Sequence, residues 1–198
     1  MIRNTRILLP VLAALSLSAC VSFGSKPPAQ LLSLSSDARV VAGTERTSAA
    51  GTSITVLAPE TPKKLDTVRV PVQVNATSVA YVQNAQWVDS PRQMFQHLLT
   101  ETIAAGGNTL VLDPGQYSTD PGRRLLGELI DFGVDAQTNM AVVTYDATLA
   151  PGGGAAVKRK RFSASVPVGT IDAASVGAPI NQAANKVAAE VAAWVSAS

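Results

Sequence analysis

Cys20 carries the plainest chemistry in this sequence. It is the only cysteine, and it closes the run Leu17-Ser18-Ala19-Cys20. Ahead of it, Met1 to Arg6 holds two arginines and no acid, and Ile7 to Leu17 is almost entirely apolar. A basic head, an apolar stretch of about 11 residues and small residues before a cut make a secretory signal peptide. The stretch is too short to span a bilayer as a helix, which takes about 20 residues. Leu-Ser-Ala-Cys has the pattern of a bacterial lipobox, which implies diacylation of the thiol and cleavage before Cys20. Each buried CH2 contributes about 0.8 kcal/mol, so two or three acyl chains anchor a protein durably. Val21 stands where lipoprotein sorting uses Asp for inner-membrane retention, which favours the inner leaflet of an outer membrane. The expected layout is a signal peptide over 1–19, a lipidated tether over 20–29 stiffened by Pro27-Pro28, and one domain over 30–198.

Four other groups could do chemistry. His97 is the only imidazole, but a catalytic triad also needs a nucleophile and an orienting acid, and no Gly-x-Ser-x-Gly elbow is present. It reads as an exposed or half-packed helix residue. Glu128, Asp131 and Asp135 suggest carboxylate or metal work, yet strand alternation puts Glu128 on one face and the two aspartates on the other. Pro151-Gly152-Gly153-Gly154 precedes the basic run Lys158-Arg159-Lys160-Arg161. A phosphate loop of the Walker type needs Gly-Lys-Ser/Thr before a helix, and this one enters a strand. The run reads as a solvated strand start, or as a contact for anionic head groups or an acidic partner surface. Alternation splits Lys158 and Lys160 from Arg159 and Arg161. Trp87 sits before a helix start and reads first as an aromatic packed beneath that helix, second as a partner contact.

The positioning elements follow from periodicity. Gln30 to Leu34 reads as a first strand, Ser35 to Thr52 as a loop and Ile54 to Leu57 as a short strand. Val68, Val70, Val72 and Val74 alternate with polar residues and Pro71, which marks an edge or a bulge. Ser78 to Gln83 is its hairpin partner. Ser90-Pro91 opens a helix, with Phe95, Leu98, Leu99, Thr102 and Ile103 on one face and Gly106-Gly107 at its end. Thr109 to Asp113 is a strand. Leu125 to Gln137 and Met140 to Ala150 form a hairpin around Gln137-Thr138-Asn139, and Ala156 to Val168 extends it into a meander. A last helix covers about Asp172 to Val195, its start kinked or delayed by Pro179, with Ile180, Ala183, Ala184, Val187, Val191 and Trp194 as its apolar stripe. The fold class is α+β, a mostly antiparallel sheet with two amphipathic helices packed on one face.

Composition narrows the function. The 198 residues are 46% hydrophobic, enough for a core and too apolar for a disordered chain. One cysteine excludes an internal disulfide and a multi-Cys zinc site, one histidine excludes a His-rich metal site, and no cofactor is expected. Removing Arg3 and Arg6 with the signal peptide leaves 14 of the 16 basic residues against 14 acidic ones. That balance lacks the basic excess of a nucleic-acid binder.

Five ordered stretches carry a resemblance. They are Leu57-Ala58-Pro59-Glu60 leading to Leu65-Asp66-Thr67-Val68-Arg69-Val70-Pro71; Ala85-Gln86-Trp87-Val88-Asp89 with Leu98-Leu99-Thr100-Glu101; Leu126-Gly127-Glu128-Leu129-Ile130-Asp131-Phe132; Arg161-Phe162-Ser163-Ala164; and Asn181-Gln182-Ala183-Ala184 before Trp194. Together, behind a lipobox, they resemble the ABC-type transport auxiliary lipoproteins, including the PqiC-like lipoproteins, over roughly residues 30 to 195. The resemblance implies a non-enzymatic part of a lipid-transport machine. Its partners would be a periplasmic MCE-domain carrier and the inner-membrane permease and ATPase behind it. The lipoprotein would sit on the outer membrane and dock the carrier's far end, a role compatible with a homo-oligomeric collar. Near neutrality puts that docking on shape and local contacts. Two other readings make different demands. An envelope-assembly or apolar-ligand-binding lipoprotein needs an enclosed apolar pocket. A membrane-anchored hydrolase needs His97 beside a serine and an acid.

Overall fold

The computed structural model describes residues 28, 30–49, 51–107, 109–116, 122–152 and 156–198. The signal peptide and the lipidation site at Cys20 lie outside the described residues.

Alternation dictates the centre of the fold. Strands β5 (Arg123–Asp135) and β6 (Met140–Ala150) form one long antiparallel hairpin, and β7 (Lys158–Pro167) adds to β6 in the same sense. The hairpin turn is made by Asp135, whose Oδ1 accepts the Gln137 and Thr138 N–H groups. Leu125, Leu129, Phe132, Val143, Tyr145 and Phe162 fill the buried face.

The other edge of β5 is built differently from expectation. β1 (Ile54–Val56) runs parallel to its start, and β2 (Arg69–Asn75) runs parallel to its end. β4 (Val111–Leu112) flanks β1 in parallel, while β3 (Ser78–Gln86) pairs antiparallel with β2. The seven-stranded sheet is therefore mixed rather than mostly antiparallel, with the described strand pairings divided evenly between the two senses. The reason is that residues 54–73 run along β5 as one interrupted strand. Glu60 both donates to Gly127 and accepts from Leu129 between the two paired pieces. Pro71 lies in an inner strand at a register shift, the bulged position that tolerates a missing N–H.

α1 (Pro91–Ala105) and α2 (Gly177–Ser196) cover one face of the sheet. α1 starts at Pro91 after an extended Ser90 and ends before Gly107, whose φ of 78° suits a residue without Cβ. Its face of Phe95, Leu98, Leu99, Thr102 and Ile103 is buried. Gln96 Nε2 donates to the Val56 carbonyl at 2.9 Å and fixes α1 to β1. α2 begins five residues later than Asp172, because Asp172 Oδ1 instead holds the Ala174 and Ser175 N–H groups in a turn. Pro179 then falls in the first helical turn, where an N–H has no intrahelical acceptor. Arg123 closes the far end, donating from Nη1 to the Val195 carbonyl at 2.9 Å. Burial lowers the pKa of that guanidinium. No helix among the described residues is long and apolar enough to cross a membrane.

Candidate functional site

The expected first strand over Gln30–Leu34 does not form. Leu32 alone bridges to Trp87: its N–H donates to Gln86 and its carbonyl accepts from Val88, each at 2.8 Å. The Leu32 side chain lies against Gly177, at the start of α2. From there residues 33–40 form a strap across both helices, and helix side chains satisfy its backbone. Asn181 Oδ1 accepts the Ser35 N–H at 2.9 Å. Asn185 Oδ1 accepts the Asp37 N–H at 2.9 Å, and its Nδ2 donates to the Ser35 carbonyl at 2.8 Å. On α1, Glu101 Oε1 accepts the Val40 N–H at 2.7 Å, and Thr102 shares a hydroxyl contact of 3.2 Å with Ser36. The segment that leads from the lipobox is thus seated between the two helices by polar side chains.

Sequence reasoning missed this seat, although its signal is present. Asn185 occupies the buried stripe of α2 and is 7% exposed. A buried amide in an alanine-rich helix face must have a polar partner. Asn181 and Glu101 both fall in stretches that carried the resemblance.

Trp87 is 1% exposed, and its ring lies 5.3 Å from Phe132. Phe132 meets Phe95, which meets Tyr145, in tilted and edge-on pairs. Such pairs contribute about 0.5–1.5 kcal/mol each beyond their burial. Trp87 is thus a buried aromatic beneath α1, as in the first of its two readings, and it offers almost no surface to a partner in this chain alone.

The basic run divides as alternation requires. Arg159 and Arg161 point to the face away from the helices, where Arg161 grips both oxygens of Asp146 and Arg159 Nη2 donates to Oδ2 at 3.1 Å. The Arg161 hydrogen bonds hold the Asp146 carboxyl below its ordinary value. Lys158 and Lys160 face the helix side, exposed, with no carboxylate partner among the described residues. Lys160 Nζ sits 4.9 Å from the centroid of the Phe162 ring, and Phe162 stacks 5.6 Å from Trp194 near the end of α2.

The three carboxylates do not separate as expected. A bulge at Ile130 shifts the register, so Glu128 opposes Asp146 and Asp131 opposes Thr144. Glu128, Asp131 and Asp135 therefore share the face opposite the helices. Two have structural roles: Asp131 pairs with Lys64 at 2.7 Å, and Asp135 makes the hairpin turn. Among the described residues no group of three or more acids, histidines and cysteines could hold a metal ion.

His97 is exposed in a groove of about 530 Å³ between the strap and α1, with Ser33, Ser36, Asp89 and Glu101 on its walls. Ser36 bonds the Ala38 carbonyl, and Glu101 holds Val40. No hydrogen bond joins His97 to a hydroxyl or carboxylate among the described residues. A second cleft of about 410 Å³ lies at the other face, bordered by Lys64, Asp131 and Asp135. Both clefts are open to solvent, with apolar and charged residues mixed in their walls.

The architecture is an α+β domain with its N-terminal segment seated across its own helices. The chain belongs to the family described as the ABC-type transport auxiliary lipoprotein component, whose model matches residues 33–192. Membership makes it a membrane-anchored envelope lipoprotein that serves an ABC transport system. Comparison with curated proteins finds no significant match. Among solved structures, the chain is similar to protein XCC0632 from Xanthomonas campestris, of family DUF330. Identity is 18% over 83% of this chain and 94% of that one, with a TM-score of 0.66. It is also similar to an uncharacterized protein at 12% identity, over 77% of this chain and 95% of that one, with a TM-score of 0.58. At these identities the likeness is one of fold.

Proposed function

We propose that this chain is a non-catalytic outer-membrane lipoprotein, anchored through Cys20 on the periplasmic face, that docks the carrier of a lipid-transporting ABC system. The carrier is an MCE-domain protein reaching across the periplasm from its permease and ATPase. The observation that carries the reading is the strap. A tether that ended in a loose loop would leave the domain free to swing, whereas bonds from Asn181, Asn185 and Glu101 fix where the tether leaves the domain. A fixed exit places the attachment at one end of the domain and leaves the other end for a docked partner. The structural engagement of Asp131, Asp135 and Asp146 further supports a scaffold over an enzyme.

Fractionation of envelopes with and without this chain tests the proposal. The MCE carrier should co-sediment with outer membranes when the chain is present and lose that association when it is deleted. An unchanged carrier distribution contradicts it.

A further inference from the structure

The two ends of the domain differ. Leu32 enters beside Gly177, and the strap then climbs α2 from Asn181 to Asn185. The preceding chain therefore leaves beyond the start of α2. Trp194 lies 17 residues along the same helix, about 25 Å away at 1.5 Å per residue. The stretch from Cys20 to Gln30 spans at most about 35 Å when fully extended. Anchoring at Cys20 thus attaches the domain by the start of α2, the end opposite Trp194.

At that far end β7 begins, and its outer edge is open. β7 pairs only with β6, and no backbone bond to its other side occurs among the described residues. An open edge offers a row of N–H and C=O groups to an added strand. The first four residues of the edge are basic. Asp146 neutralises the two arginines on one face, while Lys158 and Lys160 remain uncompensated on the other, beside the Phe162–Trp194 pair. Val157, just ahead of them, is 63% exposed.

We propose that the N-terminal half of the β7 edge, with Lys158, Lys160 and Trp194 beside it, receives an extended acidic segment of a partner protein. Added backbone bonds give affinity, and carboxylates on alternate residues of the segment reach the two lysines. Charge selects this occupant. A second copy would have to offer an open edge of its own, and β7, β3 and β4 contain no carboxylate. A membrane surface offers no extended backbone to pair with the open edge of β7. The inference rests on the reading of Cys20 as the anchor and of the transport carrier as the partner.

A photo-crosslinking amino acid at Val157 tests it in intact envelopes, with the same group at Thr77, in the turn between β2 and β3 at the opposite end of the sheet, as the reference. Adducts from Val157 should map by mass spectrometry to an acidic stretch of the carrier. Lys158→Glu combined with Lys160→Glu should cut their yield at least tenfold, and Lys158→Gln with Lys160→Gln should cut it less. Both lysines are exposed, and an unchanged melting midpoint verifies that the variants fold. If the basic run serves only to discourage edge-to-edge aggregation, charge reversal leaves the edge charged and the adducts intact, which overturns the proposal. Adducts on lipid or on a second copy also overturn it. Capture of the carrier at Thr77 but not at Val157 defeats this inference and leaves the docking function standing. Capture at neither site, with no carrier on the outer membrane, defeats the docking function itself.

Discussion

Asn185 Nδ2 donates to the carbonyl of Ser35 across 150 residues of sequence, at 2.8 Å. The same amide accepts the Asp37 N–H through Oδ1, so one side chain spans two residues of the strap. Replacing it removes both bonds at once. Asn185→Ala should destabilise the protein by about 1–3 kcal/mol, through loss of the two bonds that hold the strap on α2. Residues 35–40 should also lose hydrogen-exchange protection while β5 and β6 keep theirs. Denaturant unfolding and exchange mass spectrometry check the two parts separately. Retained protection at 35–40 would show that the strap is held by something else.

Gly127 lies under the ring of Tyr145, whose hydroxyl donates to the Leu126 carbonyl at 3.0 Å. A Cβ at Gly127 would overlap both that ring and the Asp146 carbonyl. Gly127→Ala should therefore cost about 1–3 kcal/mol through overpacking. It should also move the Tyr145 titration. Burial raises the Tyr145 pKa well above the ordinary tyrosine value, and displacement of the ring toward water should bring it down. An alkaline absorbance titration reads that shift.

Asp146 gives the fold a defined acid sensitivity. Arg161, then Arg159, hold its carboxyl below the ordinary 3.8. A carboxyl whose folded pKa is lowered contributes its full stability above the unfolded value and loses it as pH falls through the folded value. The stability of the native protein should decline below about pH 4, and Asp146→Asn should flatten part of that decline while lowering stability at neutral pH. Asp66 and Asp172 are lowered too, by Lys63 and by the Thr170 and Ser175 side chains, so a residual slope should persist. Urea unfolding between pH 2 and 7 measures both slopes. An identical slope in the Asn variant would remove Asp146 from the account.

Arg123 ties the start of β5 to the end of α2 through the Val195 carbonyl, and to Thr109 through Nη2 at 3.2 Å. Arg123→Ala should cost about 1–3 kcal/mol by removing the charge-assisted bond to the Val195 carbonyl and the bond to Thr109. The loss should appear as exchange in the last turn of α2 before any global unfolding.

Local patterns made the hairpins and helices legible, and non-local contacts hid the rest. Alternation through Met140–Ala150 and the Gln137-Thr138-Asn139 turn wrote the β5–β6 hairpin into contiguous sequence. Ile130 hid the bulge, because an apolar residue following Leu129 suits either face. That single inserted residue is why Glu128 and Asp131 share a face. The parallel pairings of β1 and β2 with β5 join segments about 60–70 residues apart, with no turn chemistry to announce them. The strap was least visible, because its backbone bonds go to helix side chains rather than to a neighbouring strand. The candidate surface was half legible. The run Lys158–Arg161 stood out by type, but only the fold shows Asp146 holding its two arginines and leaving its two lysines open.

The central claim is that an acylated Cys20 and a seated strap hold this domain where it can engage a lipid-transport carrier. Recovery of transporter components with this chain from crosslinked envelopes, comparing the native protein with Cys20→Ala, tests it most directly. The account predicts that the native chain brings down an MCE-domain protein with its permease, and that Cys20→Ala, released from the membrane, recovers much less. Equal recovery by both forms, or no transporter component with a correctly fractionated native chain, contradicts it.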